Sequence, residues 1–464
     1  ALIQAFTNTP PFNIKIVKRI IFGLSLFMTA LLQAQGTFEG SAQAKGIIST
    51  DDEIPFWLYS NQRGRLDQQT TFNALAQLNY IYLFNENSEL ELGGGLLYKN
   101  GLWDDVYIDE AYATYRYKTF EADLGVKQRP EKYMGLSSVG GDVLWSNNAM
   151  AIPGLRLQLT EPIKIFNWMY TKAQIAHYEL NDDRFVEGAK IHFKSFYLDL
   201  RLTPRDIISG ELQHYVQWGG TSPVYGKYPE NFGAFIDVFL GSEGGSDASG
   251  PDQANAAGNH LGSYEFNYRR SGEVYDFTFY HQSLFEDSSG RNLNNFPDGV
   301  WGLFFDFHDG ELLKGLNLEY VQTVSQSGRY GSTSGLSGTF SGGDNYFIGN
   351  QYASGWTYRN QIIGLPFTFK EEDGHPFTNS RSYVFHAAAT GHFWQLDYKA
   401  KLSYVENLGT YGQPLNPHEK AIYSYGQLIY PTENYGNFSL EVGLDHSNTR
   451  NTTAGLSVGY QYAF

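Results

Sequence analysis

Residues 453–464, TAGLSVGYQYAF, alternate between two kinds of side chain over one strand-length segment. Every second residue from Ala454 to Phe464 is apolar or aromatic, and the residues between them are mostly small or polar. A period of two is typical of a β-strand that has one apolar face and one polar face. The end of the chain therefore predicts a half-apolar strand.

The same alternation recurs upstream, at 438–445, 394–404 and 196–202. A water-soluble β-sandwich would also alternate, so the period alone leaves that alternative open. Lipid is favoured because the polar faces carry full charges, as at Lys399 and Lys401, and because aromatic residues lie near the ends of the apolar faces. Strand-like segments of about 9 to 12 residues fill most of the chain, the length of a tilted membrane crossing. These features predict an all-β, transmembrane antiparallel outer-membrane β-barrel of about 18 strands.

Composition excludes several other classes of protein. The 464 residues carry 33 Lys and Arg against 49 Asp and Glu, a net charge of -16, which disfavours nucleic-acid binding. Cysteine is absent, which excludes disulfide frameworks, Cys-ligated zinc and thiol catalysis. Aromatic residues make up 16% of the chain although the mean hydropathy is only -0.38, which requires polar residues interleaved with them.

The N-terminal region predicts export. Three basic residues precede an apolar run at 20–32, and Ala34 follows that run. The run is too short to span a bilayer, so residues 1–34 are interpreted as a leader and secretory signal peptide, with a membrane anchor as the alternative. Residues 35–464 are expected to form a single outer-membrane β-barrel domain with long extracellular loops.

Three long irregular stretches interrupt the strand pattern. Residues 241–259 are rich in Gly, Ser, Asp and Asn and predict a solvated loop. Residues 325–380 are too many for a structureless loop, and alternation also lapses at 129–153. Any of these stretches could constrict the barrel, so the lumen is expected to be partly plugged.

Several irregular motifs together resemble a known family. They are IPFWLYSNQRG at 54–64, residues 135–153 with WSNNA at 145–149, FHDG at 307–310, DNYF at 344–347 and GWTY at 355–358. In this order they are similar to the Wzi-type capsule assembly outer-membrane proteins, and most similar to a Bacteroidetes-like branch. The chain ending on Phe464 also resembles the signal that outer-membrane barrels present to the barrel assembly machinery.

This resemblance implies a function outside catalysis and transport. It implies a barrel that tethers capsular or other surface polysaccharide, in a lectin-like and non-enzymatic manner, and a lumen blocked at its periplasmic side by a small helical element. Expected partners are that polysaccharide, outer-membrane lipid, lipopolysaccharide and the barrel assembly machinery, and no nucleic acid. Two alternatives remain open, namely a porin-like channel and a structural subunit of an envelope secretion or assembly complex.

A sugar site needs aromatic faces for the C–H side of a pyranose and amides or charges for its hydroxyls. The polysaccharide-contact candidates combine these groups: Trp57 with Asn61 and Arg63, Trp145 with Asn147 and Asn148, and Trp356 with Tyr358 and Asn345. The alternative for each is a packing role within the loops. No cofactor, metal or catalytic residue is predicted, since His281 and Ser283 form a spacing that arises easily by chance.

Overall fold

The computed structural model describes residues 36–241, 257–286, 288–328, 343–349, 351–371 and 377–464. The predicted leader at 1–34 lies outside the described residues. Described residues contain no helix that is both long and apolar enough to cross a membrane.

Eighteen antiparallel strands form one closed barrel, as the sequence predicts. The first strand pairs with the last, from Ser41 opposite Ala463 to Ser49 opposite Gly455, and this pairing closes the sheet. The sixth strand consists of two pieces, which both pair with the seventh. In chain order, β1 to β18 span Gly36–Ser49, Phe72–Asn85, Ser88–Lys99, Asp105–Tyr117, Phe120–Val126, Gly154–Leu159 with Ile163–Phe166, Met169–Glu179, Lys190–Arg201, Asp206–Trp218, Asn259–Ser271, Tyr275–Phe285, Gly299–Phe307, Gly315–Gln322, Arg381–Phe393, Leu396–Gly409, Pro414–Thr432, Gly436–Ser447 and Thr453–Ala463.

The apolar faces of these strands point out of the barrel. On β17, Phe438, Leu440 and Val442 are 50%, 41% and 47% exposed, whereas Glu441 between them is 1% exposed. Glu441 faces the lumen, where it pairs with Lys45 at 2.7 Å. The alternation read from the sequence therefore separates a lipid-facing surface from a polar, protein-filled interior.

The two ends of the barrel differ in the length of their connections. One end carries only short turns, at 86–87, 118–119, 167–168, 202–205, 272–274, 308–314, 394–395 and 433–435. The other end carries the long connections, among them 50–71, 127–153, 219–258 and 323–380. Short turns face the periplasm in bacterial outer-membrane barrels, so the loop end is expected to face the cell surface.

Little of the described chain is helical. Helix α1 spans Phe56–Tyr59, α2 spans Phe232–Leu240, α3 spans Ser288–Arg291, and a 3-10 turn spans Tyr133–Gly135. Three small hairpins lie outside the barrel sheet: Thr221–Ser222 with Gly226–Lys227, Thr357–Tyr358 with Gln361–Ile362, and Phe369–Lys370 with Phe377–Asn379. Helix α2 was not expected from the sequence. Of the solvated loop predicted at 241–259, residues 242–256 lie outside the described residues, and Asn259 already begins β10.

The hydrophobic core lies inside the lumen. Three connections fold inward, and we call their described residues, 50–71, 127–153, 323–328, 343–349, 351–371 and 377–380, the plug. One apolar cluster joins plug residues such as Leu136, Trp356 and Phe367 to wall residues such as Phe193 and Val405, all at most 1% exposed. The irregular stretch at 129–153 and part of the stretch at 325–380 thus fill the barrel.

The plug reaches down to the turn end. An ideal Cβ on Gly315, the first residue of β13, would lie 2.7 Å from the Met134 sulfur, and one on Gly135 would lie 2.8 Å from Lys399 Nζ. The ring of Tyr133 stacks on Tyr280 of β11, with the ring centroids 4.4 Å apart. The element that reaches deepest is therefore a single 3-10 turn.

Candidate functional site

The predicted tryptophans Trp145 and Trp356 meet inside the plug. Their ring centroids are 6.2 Å apart, and both rings contact Tyr215 of β9. Trp356 donates its indole N–H to the carbonyl oxygen of Leu144 at 2.5 Å, and Arg129 lies 3.9 Å over the ring of Trp145. Since Trp356 is 1% exposed, it has no free ring face for a ligand.

Trp57 is buried at a different position, on α1. Its indole N–H donates to Ser403 Oγ at 3.1 Å, and Lys401 Nζ lies 4.8 Å over its ring. Its ring also packs edge-on against Phe367 and beside His386. Buried tryptophans such as these could therefore affect sugar binding only indirectly, by fixing the conformation of the loops that they pack against.

The predicted amides cross-link two loops of the plug. Asn148 Oδ1 accepts the backbone N–H of Asn61 at 3.2 Å, and Asn61 donates to the carbonyl of Ser138 at 2.9 Å. The carbonyl of Asn147 accepts the backbone N–H of Arg63 at 2.6 Å. The structure therefore brings Asn61 and Arg63 together with Asn147 and Asn148, as neighbours that are half-buried.

The remaining candidates lie in the stretch at 343–371. Tyr358 is buried and donates its hydroxyl to Asn181 Oδ1 at 2.6 Å. The carbonyl of Asn345 accepts the backbone N–H of Ile348. The contacts of Trp57, Asn345 and Tyr358 are separate from the cluster at Asn61 and Asn148, so the nine candidates do not form one site.

A cavity of about 600 Å³ opens between the loops at the loop end of the barrel, and we call it the mouth cavity. It lies between the connections 50–71, 100–104, 127–153, 323–380 and 448–452 and the first residues of β16. Its lining includes the aromatic rings of Tyr59, Trp103 and Phe369, the amides of Asn148 and Asn360 and the guanidinium of Arg450. The Oε1 atom of Gln361 is buried and has no hydrogen-bond partner among the described residues.

Only Asn148 of the predicted candidates lines the mouth cavity. Trp103, Asn360 and Arg450 were missed because they belong to three different connections, and nothing local in the sequence says that these connections meet. One feature of the sequence could have identified Trp103. It lies between two predicted strands, in a loop that is too short to bury a large ring. Within the described ranges no group of three or more His, Asp or Glu side chains is arranged to hold a metal ion.

A second cavity, of about 490 Å³, lies inside the lumen and is called the lower cavity. It is bounded by the plug residues Arg63 and Arg129 and by charged residues of the wall. Arg116 pairs with Glu89, with Glu91 at 2.8 Å and with Glu121 at 2.6 Å. Its lining carries six cations against the two carboxylates Glu110 and Glu121, and three of the cations, Arg116, Lys127 and Arg156, pair with carboxylates of the wall.

Buried carboxylates hold the plug to the wall. Glu319 of β13 accepts hydrogen bonds from Ser137 Oγ and from the backbone N–H of Ser138, both at 2.6 Å. Asp298, which precedes β12, accepts the backbone N–H groups of Ser325 and Gln326 at 2.9 and 2.7 Å. Burial raises the pKa of Asp298 to about 6, although these donors favour its charged form.

Solved structures similar to this one include an outer-membrane barrel. The structure of the Escherichia coli outer-membrane protein Wzi, described as a carbohydrate-binding β-barrel involved in group 1 capsule assembly, aligns with a TM-score of 0.57 and 14% identity over 96% of this chain and 88% of that chain. Pseudomonas aeruginosa OccK5 (OpdH) aligns with a TM-score of 0.48 and 11% identity over 92% of this chain and 98% of that one. No curated protein sequence matches this chain significantly.

The family assignment rests on the sequence itself. The profile of the family described as "Capsule assembly protein Wzi" matches residues 35–401, well over half of the chain. Together with the closed 18-strand barrel, this match confirms both the resemblance seen in the irregular motifs and the location in the bacterial outer membrane. The chain belongs to the Wzi family of capsule assembly proteins.

Proposed function

We propose that this barrel binds capsular or other surface polysaccharide in the mouth cavity and thereby supports capsule assembly at the cell surface. The observation that carries the proposal is an open cavity of about 600 Å³ above a lumen that the plug largely fills. Its position at the loop end makes it accessible to a polymer outside the cell. A binding site in that position does not require the polymer to pass through the barrel.

The lining of the mouth cavity suits a carbohydrate. Trp103 is half-buried, so part of its ring is open to a pyranose ring, and the amides of Asn148 and Asn360 can bind hydroxyl groups. Mixed apolar and amide surfaces of this kind orient neutral, hydroxyl-rich ligands.

Charge narrows the class of polymer. The carboxylates of Glu53, Asp67, Glu371 and Glu419 line the mouth cavity, against the cations Lys370 and Arg450. Because the carboxylates outnumber the cations, a densely anionic polymer would be repelled there. A neutral or sparsely charged segment of the polysaccharide is the better fit.

The filled lumen argues against the porin alternative. Plug residues such as Leu136 and Phe367 have no exposed surface, and the apolar cluster to which they belong includes inward-facing residues of β1 to β3 and of β7 to β16. The lower cavity lies between the plug and β4 to β8. An open porin would need a continuous aqueous path instead. The protein is therefore expected to remain closed in planar-bilayer conductance recordings.

The proposal is of a non-enzymatic protein. His281 stacks on Trp301 at 3.6 Å and its Nδ1 lies 3.0 Å from the carbonyl of Val300, while Tyr280 and Gln282 on either side face the plug. The histidine therefore points out of the barrel. To act in a hydrolase, it would need an acid that orients it and a hydrogen-bond donor for the oxyanion.

Outer-membrane lipid, lipopolysaccharide and the assembly machinery are the proposed further partners of the outer wall.

Binding of the purified, detergent-solubilised barrel to the surface polysaccharide of its own host tests the proposal. Trp103→Ala is expected to weaken binding about tenfold, since it removes one of the partly exposed rings that line the mouth cavity. Because the proposed ligand is largely neutral, the affinity of the wild-type protein is expected to change little with salt.

The matched control is Trp168→Ala, which removes an exposed tryptophan from a turn at the opposite end of the barrel. If both variants bound the polysaccharide as tightly as the wild type, the mouth cavity would not be the binding site. If the wild-type barrel showed no saturable binding and gave large conductance steps, the protein would be a porin rather than a polysaccharide tether.

A further inference from the structure

Helix α2 lies on the outside of the barrel. On β9, Tyr215 and Gln217 face the lumen, because Tyr215 accepts a hydrogen bond from Arg129 and Gln217 donates to the carbonyl of Gly355. Side chains alternate along a strand, so His214 and Val216 point outward. Val216 lies opposite His192 on β8, so His192 also points outward.

The helix packs onto these outward-facing residues. Phe235 contacts His192 and Trp218, with ring centroids 5.2 and 5.8 Å apart, and Phe239 lies 5.4 Å from His192. Val238 completes a small apolar cluster with Val216 and Trp218. One face of α2 therefore covers the outer wall of β8 and β9 near the loop end.

The helix also covers polar groups on that wall. Lys194 donates to the carbonyl of Phe239, in the last turn of the helix, where a cation is favoured. His192 is 1% exposed, and its Nε2 has no hydrogen-bond partner among the described residues. Without α2 this wall would present histidines and a lysine at the upper edge of the lipid-facing surface.

The opposite face of α2 is apolar as well. Phe232, Ile236 and Leu240 are spaced four residues apart, so they form one ridge, and they are 77%, 37% and 67% exposed. Asp237 is the one charged residue in the helix FGAFIDVFL. A helix that is apolar on both faces is stable when both faces are buried.

The ridge is continuous with the lipid-facing surface of the same strands. Lower on the wall, Phe196 of β8 and Leu212 of β9 lie opposite each other and are 54% and 44% exposed. Lipid covers such outward residues in an outer-membrane barrel. A helix can enter lipid because all its interior backbone groups are hydrogen-bonded within it.

We propose that α2 is submerged in the outer leaflet of the membrane, with Phe232, Ile236 and Leu240 against lipid acyl chains. The helix then seals the polar patch at His192 and Lys194 from lipid and replaces it with an apolar surface. It also holds the connection between β9 and β10 down at the membrane, beside the mouth of the barrel.

The cysteine-free chain allows a direct test, since any introduced cysteine is the one labelling site. Nitroxide-labelled Phe232→Cys and Leu240→Cys variants are placed in phospholipid vesicles, and their accessibilities to oxygen and to a water-soluble nickel complex are compared. We expect greater oxygen than nickel accessibility at both positions, as for a residue among acyl chains.

Two labelled variants calibrate the measurement. Val442→Cys reports on the lipid-facing surface of β17, and Asn451→Cys reports on the exposed connection 448–452. Heat-modifiable migration on a gel confirms that each variant is folded. Nickel accessibility at 232 and 240 equal to that at 451, or intermediate between the two reference positions, would overturn burial among acyl chains.

Discussion

The plug and α2 pack on opposite faces of the same strands. Inside the barrel, Trp145 contacts Tyr178 of β7 and Tyr215 of β9. Outside, Phe235 contacts His177, the residue next to Tyr178, at a centroid distance of 6.4 Å. Adjacent residues of one strand thus support two aromatic clusters, one in the lumen and one on the outer wall.

The two regions differ in how their backbones are satisfied. The plug is mostly irregular, and its backbone uses wall side chains: Val143 N–H donates to Gln282 at 2.8 Å, and Ser138 N–H donates to Glu319. The outer helix needs no wall partner for its amides, since Asn231 caps its first turn and Gly241 ends it in the left-handed conformation. Irregular backbone is tolerated only among polar partners, whereas a helix can face lipid.

The largest expected effect comes from the plug. Trp356→Ala removes a ring that contacts Trp145 and Tyr215 and deletes the hydrogen bond to Leu144, so we expect a loss of about 3–5 kcal/mol in the free energy of unfolding. Urea titration of the barrel in detergent micelles measures this loss.

Trp394→Ala is the control for that prediction. Trp394 lies in a turn and is 83% exposed, so its removal is expected to change the free energy of unfolding by less than about 0.5 kcal/mol. If Trp356→Ala were no more destabilising than the control, the plug would not be the core of the protein.

A smaller effect concerns the pH dependence of plug attachment. Burial raises the pKa of Asp298 to about 6, above the value of about 4 expected in the unfolded chain. The folded state then binds more protons between pH 4 and 6, so this carboxyl lowers stability as the pH rises through that window, by at most about 3 kcal/mol. Above pH 6 its contribution is constant.

Asp298→Asn isolates this contribution. The difference in free energy of unfolding between the variant and the wild type, followed from pH 4 to 7, is expected to shift in favour of the variant as the pH rises. Asp309→Asn, in an exposed turn, is expected to show no such slope. A flat difference for Asp298→Asn would show that this carboxyl keeps an ordinary pKa in the fold.

The smallest effect concerns the outer helix. Asn231 Oδ1 accepts the backbone N–H of Ala234 at 2.9 Å, and replacing such a cap by alanine costs about 1 kcal/mol. Asn231→Ala is therefore expected to speed amide hydrogen exchange in 232–240 about fivefold, since 1 kcal/mol is about a factor of five. Exchange in the plug is expected to stay unchanged.

Asn451→Ala provides the comparison for this variant, since Asn451 is an exposed asparagine in the connection 448–452. Faster exchange in the plug of Asn231→Ala would mean that the two regions are coupled through β8 and β9. The inner and the outer cluster would then belong to one cooperative unit of the fold.

The barrel itself could be predicted because its signal is local. The alternation of apolar and polar residues in 438–445 and 453–464 predicts which side chains face lipid. Those side chains are the exposed ones in the structure. The candidate site was predicted less well. Trp57, Trp145 and Trp356 look like ligand-binding tryptophans in the sequence, but each is buried against residues from distant parts of the chain.

Helix α2 escaped prediction for a related reason. FGAFIDVFL shows no polar face, so an amphipathic pattern cannot identify it as a surface helix. Its position becomes clear only when the outward side chains of β8 and β9 are placed beneath it. The mouth cavity is similar, since Trp103, Asn360 and Arg450 meet there from three separate connections.

The sequence by itself determined the class of fold, the strand faces and the family, because a period of two and a set of ordered motifs are properties of neighbouring residues. Only the tertiary structure decided which connections fill the lumen, which one covers the outer wall and where a cavity remains. The reason is physical: contacts such as that of Trp356 with Leu144, 212 residues apart, exist only after the barrel has closed around them.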